Sequence, residues 1–300
     1  MTGRVQVAIS ADGTEIVGRV RGQGPPVVLV HGAFGDGEVA YEALVPHLAD
    51  RFTCYTPSTR GRGLSGDNPD HSPPRLQEDV TAFVDSIGEP VCLVGWSGSG
   101  AWVLGAAAHS DSVAAVTIYE PGVIGVGGED DIARFGAAMQ QVGAAAADGR
   151  ILDAVHAFLP GICTDNEIAA LEVTPFYERW AGGIPALLRF VQQDMSYEGP
   201  RSTDPEALGQ VAAPVLLLRG EQTLLGTFFA DVERYVAQHV VDANVRELPG
   251  VGHFAPLLEP EAIAKELTFF FESVRLGRQG TGSRSYVRDL PRRLEAVETT

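Results

Sequence analysis

The chain has 300 residues, enough for one large domain or two ordinary ones with a substantial core. Its 45% hydrophobic and 20% charged composition is that of a globular protein, not a disordered one. With 22 basic against 39 acidic residues the net charge is −17, which repels phosphate backbones and argues against nucleic-acid binding.

Val5–Ile9 and Thr14–Arg21 flank the turn-prone Asp12-Gly13 and read as a hairpin. Val27–Val30 is an apolar run ending at His31-Gly32, and Phe52–Tyr55 is a further strand followed by the loop Arg60–Ser65. Leu76, Val80, Phe83, Val84 and Ile87 share one helical face. Val91–Val94 then leads into Gly95-Trp96-Ser97-Gly98-Ser99-Gly100, an Ala-rich helix to about Ala108 and the strand Ala114–Tyr119. Val215–Leu218 and Asn244–Leu248 are the last strands, before an amphipathic helix over Glu261–Phe271. Continuously apolar strands belong in a parallel sheet with helices on both faces, so the alternation predicts a doubly wound α/β domain.

Residues 121–210 interrupt that alternation with four helical patterns and no convincing strand. Ile132, Phe135, Met139 and Val142 form one face, and Ile151, Leu152, Val155, Phe158 and Leu159 another. Thr164 and Glu167 have capping-box spacing, and Ile184, Leu187, Leu188 and Val191 complete the set. From Gly277 onward five Arg face three acidic residues, leaving −19 on residues 1–276. This Gly- and Ser-containing tail is expected to be a flexible extension with a short helix at Pro291–Val297.

Three cysteines, Cys54, Cys92 and Cys163, have no ligand spacing; neither a disulfide framework nor a zinc site follows, and buried thiols are expected. With no leader-like N-terminus and no membrane-length apolar run, the expectation is a soluble cytoplasmic protein acting on a small molecule, without cofactor or metal. Monomer and homodimer are both compatible with it.

The chemistry gathers at Val91–Ala108. A strand turning directly into a helix strains Ser97 and exposes its hydroxyl, and it demands small neighbours, which Gly95, Gly98, Ser99 and Gly100 supply. The helix N-terminus directs free N–H groups at an anion beside it. A phosphate loop is disfavoured, because no Lys-Ser/Thr follows the glycines. His253 lies in Gly250–Phe254 after the last strand, where the crevice of such a sheet opens.

HGAF at 31–34, GRGLS at 61–65, GWSGSG at 95–100, YEPG at 119–122, VLLLRG at 215–220 and GVGHF at 250–254 stand in an order that resembles the α/β-hydrolase fold over residues 4–276. The resemblance implies a core of 1–120 and 211–276, an all-helical cap of 121–210 inserted after the sixth core strand, and the 277–300 tail. It implies Ser97 as nucleophile, His253 as base, and an oxyanion hole from the N–H groups of Ala33 and Gly98. Serine at 97 argues against the carboxylate nucleophile of haloalkane and epoxide chemistry. The sole lysine, Lys265, lies in the final helix, away from the place a hydroxynitrile lyase would use one.

The position where the family usually carries its acid, three residues past Gly220, is Thr223 here, and a second common position is Ser58. Glu120, ending the preceding strand, is the favoured substitute. Glu221, expected to face solvent, and the absence of any working acid are the rivals. Two functions follow: a serine esterase, lactonase or thioesterase for a small to medium apolar acyl group, or a fold relative with altered or lost hydrolysis, which Thr223 favours. Phe34 and Trp96 beside the site, and Phe176, Tyr177, Trp180 and Met195 in the insertion, are the candidate apolar wall. His31 and Trp102 are assigned to turn and helix packing.

Overall fold

The structure, a computed structural model, describes residues 4–279. The short helix expected at 291–297 lies outside the described residues. Eight strands form one sheet in the order β1-β2-β4-β3-β5-β6-β7-β8: β1 (Arg4–Ile9), β2 (Glu15–Gly22), β3 (Pro26–Val30), β4 (Thr53–Pro57), β5 (Val91–Trp96), β6 (Val113–Tyr119), β7 (Val215–Gly220) and β8 (Ala243–Leu248). The β1–β2 and β2–β4 pairs are antiparallel, and all pairs from β4 to β8 are parallel. Every residue of β3, β5 and β6 is buried, as a central strand covered on both faces requires.

The helices are α1 (Val45–Leu48), α2 (Pro73–Asp85), α3 (Gly100–His109), α4 (Glu129–Ala147), α5 (Ile151–Phe158), α6 (Asp165–Glu172), α7 (Phe176–Trp180), α8 (Ile184–Met195), α9 (Pro205–Leu208), α10 (Gly226–His239), α11 (Ala255–Leu258) and α12 (Pro260–Gln279). Between β6 and β7 the described chain is purely helical, α4 to α9. Met139 and Val142 of the first expected face are buried, but Ile132 is exposed, in a first turn of α4 in which no residue is buried. The five-residue α7 was not expected; in sequence it reads as an aromatic cluster. Nor was α10, although its buried Phe228, Phe229, Val232 and Val236 have helical spacing. Helix α12 runs on to Gln279, into the stretch expected to be tail. No helix among the described residues is long and apolar enough to cross a membrane. All three cysteines are buried.

The strand order positions the site. From β3 the chain winds outward to β4, and it returns on the other side of β3 to form β5. The connections leaving β3 and β5 therefore diverge, and a crevice opens between their C-terminal ends. The HGAF loop and Ser97 stand at those two ends.

Candidate active site

Ser97 opens the tight 3₁₀ turn Ser97–Ser99 between β5 and α3 with φ 56°, a left-handed conformation costly for a residue with a Cβ. The turn is locked on both sides. Ser99 Oγ accepts the Trp96 N–H at 2.9 Å and donates to the Val30 carbonyl at 2.9 Å, and the Gly122 N–H donates to the Ser97 carbonyl at 2.9 Å. A Cβ at position 98 would stand 2.6 Å from the Ala33 Cβ and 3.2 Å from the Ala33 nitrogen, so only glycine lets the two expected oxyanion residues come together. The Ala33 N–H donates no backbone hydrogen bond among the described residues.

The HGAF loop is braced by His31, in the turn role expected of it, and by the arginines of the GRG loop. His31 is buried; its Nδ1–H donates to the Gly32 carbonyl at 2.7 Å and its Nε2 accepts the Thr59 N–H at 3.0 Å. Burial pushes its pKa down to about 3, so it is a neutral brace. Arg62 donates to the Ala33 carbonyl at 2.8 Å and to Thr59 Oγ1 at 2.8 Å. Arg60, fully buried, pairs through two nitrogens with Asp79 at 2.9 and 2.6 Å and with Asp12 at 2.7 Å, tying the GRG loop to α2 and the β1–β2 hairpin.

His253 is buried in the loop after β8, its ring stacked on Phe229 at 5.3 Å. The indole of Trp96, the residue before Ser97, donates to the His253 carbonyl at 3.0 Å, which fixes the histidine loop against the serine turn. His253 Nδ1 lies 2.6 Å from Glu120 Oε2. Glu120 is fully buried, and with φ 51° it is the second non-glycine residue held in the left-handed region. Its Oε1 accepts the Gly220 N–H at 2.9 Å, and its Oε2 also accepts the Thr223 hydroxyl at 3.1 Å. Thr223, at the position where the family usually carries an acid, thus donates to the Glu120 carboxylate that contacts His253. Glu221 is exposed and accepts the Gly250 N–H at 3.0 Å, away from the imidazole. Ser58 Oγ accepts the Gly37 N–H at 3.1 Å and takes no part in this cluster.

Over the serine turn the insertion places a shell of rings. Phe34 lies 5.1 Å from Phe158, 6.2 Å from Phe176 and 5.1 Å from Trp180, and Trp180 lies 6.0 Å from Trp96. Phe254 joins it, 5.2 Å from Trp96 and 5.4 Å from Phe176. Tyr177 sits one layer out, stacked 3.9 Å from the exposed His156. Met195 does not belong to this wall: it is the last residue of α8 and is 73% exposed, although it follows the buried Val191 by one helical turn. Trp102 packs edge-on against Phe190, as a helix-packing residue should. No cluster of His, Cys, Asp and Glu able to hold a metal ion occurs among the described residues.

A sheet of this order, carrying a strained serine after its fifth strand and a histidine after its eighth, defines an α/β-hydrolase architecture. Residues 27–266 match the family model described as "Alpha/beta hydrolase family", and the chain belongs to that family. It is 27% identical over 263 residues, 85% of this chain and 91% of the relative, to a 2-(acetamidomethylene)succinate hydrolase of Mesorhizobium japonicum. Over 111 residues, 37% of this chain and 41% of the relative, it is 37% identical to a pimeloyl-[acyl-carrier protein] methyl ester esterase of Stenotrophomonas maltophilia. Among solved structures, an alpha/beta hydrolase from Sphaerobacter thermophilus superposes with a TM-score of 0.69 at 27% identity, covering 89% of this chain and all of that one.

Proposed function

We propose that the protein is a serine hydrolase that cleaves an ester, lactone or thioester of a small to medium apolar acyl group through an acyl-enzyme at Ser97. The observation that carries this reading is the buried 2.6 Å contact of His253 Nδ1 with Glu120, tied through the Trp96 indole to the strained strand–helix turn that holds Ser97. A serine hydroxyl is a weak nucleophile, so His253 removes its proton as Oγ attacks the carbonyl carbon. Glu120 holds the imidazole with its proton on Nδ1, which leaves Nε2 free to accept, and it stabilises the imidazolium that forms. The N–H groups of Ala33 and Gly98 bind the resulting oxyanion, an effect worth about 3 kcal/mol for each donor. The imidazolium then protonates the leaving alcohol or thiol, and water repeats the sequence on the acyl-enzyme, releasing the acid and restoring Ser97.

Phe34, Trp96, Phe176 and Trp180 supply an apolar surface for the acyl group, with Tyr177 backing it, under residues 121–210 acting as a cap. Both curated relatives carry names of hydrolytic enzymes, one of them an ester-cleaving one, which supports the same reaction class. The feature that favoured a non-hydrolytic relative was Thr223; as a hydrogen-bond donor to Glu120 it no longer points that way.

The test is labelling with a fluorophosphonate probe followed by identification of the modified peptide. Modification at Ser97, lost in Ser97→Ala together with turnover of para-nitrophenyl butyrate, is the expected result. An unreactive Ser97 in the folded protein would overturn the proposal.

A further inference from the structure

Thr164 and Glu167 do form the capping box their spacing suggests: Glu167 Oε2 accepts the Thr164 N–H and hydroxyl, each at 3.0 Å. That uses one carboxylate oxygen only. The other, Oε1, crosses from α6 to the sheet domain and accepts the Phe254 N–H at 2.8 Å, one residue after His253. Glu167 is only 7% exposed, so this bond forms largely out of water, where leaving either partner unmatched is costly.

The remaining backbone anchors of the histidine loop come from the core: Glu221 accepts the Gly250 N–H at its start, and three others grip carbonyls. The Gln222 N–H donates to the Val251 carbonyl at 2.9 Å, the Tyr119 hydroxyl to the Gly252 carbonyl, and the Trp96 indole to the His253 carbonyl at 3.0 Å. Among the described residues, Glu167 alone reaches the loop from the helices between β6 and β7 by a hydrogen bond. A Cβ at position 252 would lie 2.5 Å from Glu167 Cδ and Oε1, so a glycine there is what admits the carboxylate to the backbone.

We propose that Glu167 is a positioning residue for His253: its carboxylate sets the His253 loop, and seating of the helical insertion and alignment of the base are one event. The inference rests on the reading of His253 as the base. It assigns the capping box a role in the reaction beyond starting α6.

Full-length Glu167→Ala, Glu167→Gln and Thr164→Ala separate the two roles. With para-nitrophenyl butyrate, Glu167→Ala is expected to lose about tenfold or more in kcat with KM changed less than about twofold, because the base is displaced while the acyl surface remains. Exchange of the Phe254 amide, followed by mass spectrometry, should accelerate at least about tenfold in the same variant. Glu167→Gln can keep its one acceptor oxygen on the Phe254 N–H by turning the NH₂ group toward Thr164, so it should hold kcat within about threefold of the parent while weakening the cap. Thr164→Ala removes the cap but not the Phe254 bond, so it should lower the melting temperature and spare kcat. Parental kcat and Phe254 exchange in Glu167→Ala, an equal kcat loss in Thr164→Ala, or an equal loss in Glu167→Gln would each overturn the proposal. Should Glu167→Ala not fold, Glu167→Asp, one methylene short of the Phe254 N–H, carries the same expectation. If Ser97→Ala turns the ester over at the parental rate, the reading of the site fails, while the Phe254 exchange rates still decide whether Glu167 clamps the loop.

Discussion

Replacing Glu120 by Gln changes one oxygen for an NH₂ group at the most enclosed point of the site and leaves the volume unchanged. Two donors depend on that side chain, the Gly220 N–H at 2.9 Å and His253 Nδ1 at 2.6 Å, and Thr223 supplies a third at 3.1 Å. An amide has a single acceptor oxygen. If it faces Gly220, the NH₂ group faces His253 and selects the tautomer with its proton on Nε2, the nitrogen that has to receive the Ser97 proton. If it faces His253, two N–H donors collide at Gly220 inside a fully buried pocket. Either arrangement removes the charge that stabilises the imidazolium. Neutralising the acid of such a triad costs up to about ten-thousandfold in kcat, so the expected fall is about a hundredfold to ten-thousandfold, or about 3–5 kcal/mol in the barrier. The assay is initial-rate hydrolysis of para-nitrophenyl butyrate at neutral pH, with thermal unfolding measured alongside. Because the volume is kept and one buried hydrogen bond is mispaired, the melting temperature is expected to fall by no more than about 10 °C, leaving the protein folded in the assay, which separates lost chemistry from lost fold. Turnover within about threefold of the parent in a folded Glu120→Gln protein would eliminate Glu120 from the mechanism.

Thr223→Val should reduce kcat about threefold to tenfold with little change in KM, the effect of one hydrogen bond to a buried carboxylate. Thr223→Asp should lower activity and not raise it, since a second carboxylate would stand beside Glu120. Glu233, on α10, has its pKa pushed up to about 7 by burial, which outweighs the Arg219 guanidinium at 3.2 Å. An acid held protonated longer when folded than when unfolded contributes stability at low pH that is lost as pH rises from about 4.5 to about 7. Glu233→Gln should therefore stabilise the protein by about 2 kcal/mol at pH 8 and by little at pH 4; equal melting shifts at both pH values would contradict this. Asp79→Asn, which strips the buried Arg60 of its paired carboxylate, should cost about 3 kcal/mol or more in a denaturant titration while the folded fraction keeps its kcat.

The local signals carried far. Apolar runs gave the parallel strands, the Gly- and Ser-rich turn placed Ser97 between β5 and α3, and helical spacing separated the stretch between β6 and β7 from the sheet. These features are local because they arise from neighbours in sequence: a buried strand must be apolar, and a tight turn into a helix must be built from small residues. The five residues of α7 give too short a period to read, and Met195 follows Val191 with core spacing yet is exposed because the helix ends there.

The acid was a different kind of question. Sequence could name Glu120 and note the hydroxyl at 223, but those residues stand 103 positions apart, and nothing along the chain makes them neighbours. The parallel β6–β7 ladder does so, pairing Tyr119 with Leu218 and bringing the ends of both strands to the same edge of the sheet. Adjacent strands lie about 4.8 Å apart, so a carboxylate rooted on either end can reach one imidazole. Which strand end carries the carboxylate against His253, and what Thr223 does beside it, are decided by that lateral packing; how Glu167 reaches from α6 to the Phe254 N–H is decided by the packing of the helices between β6 and β7 onto the sheet.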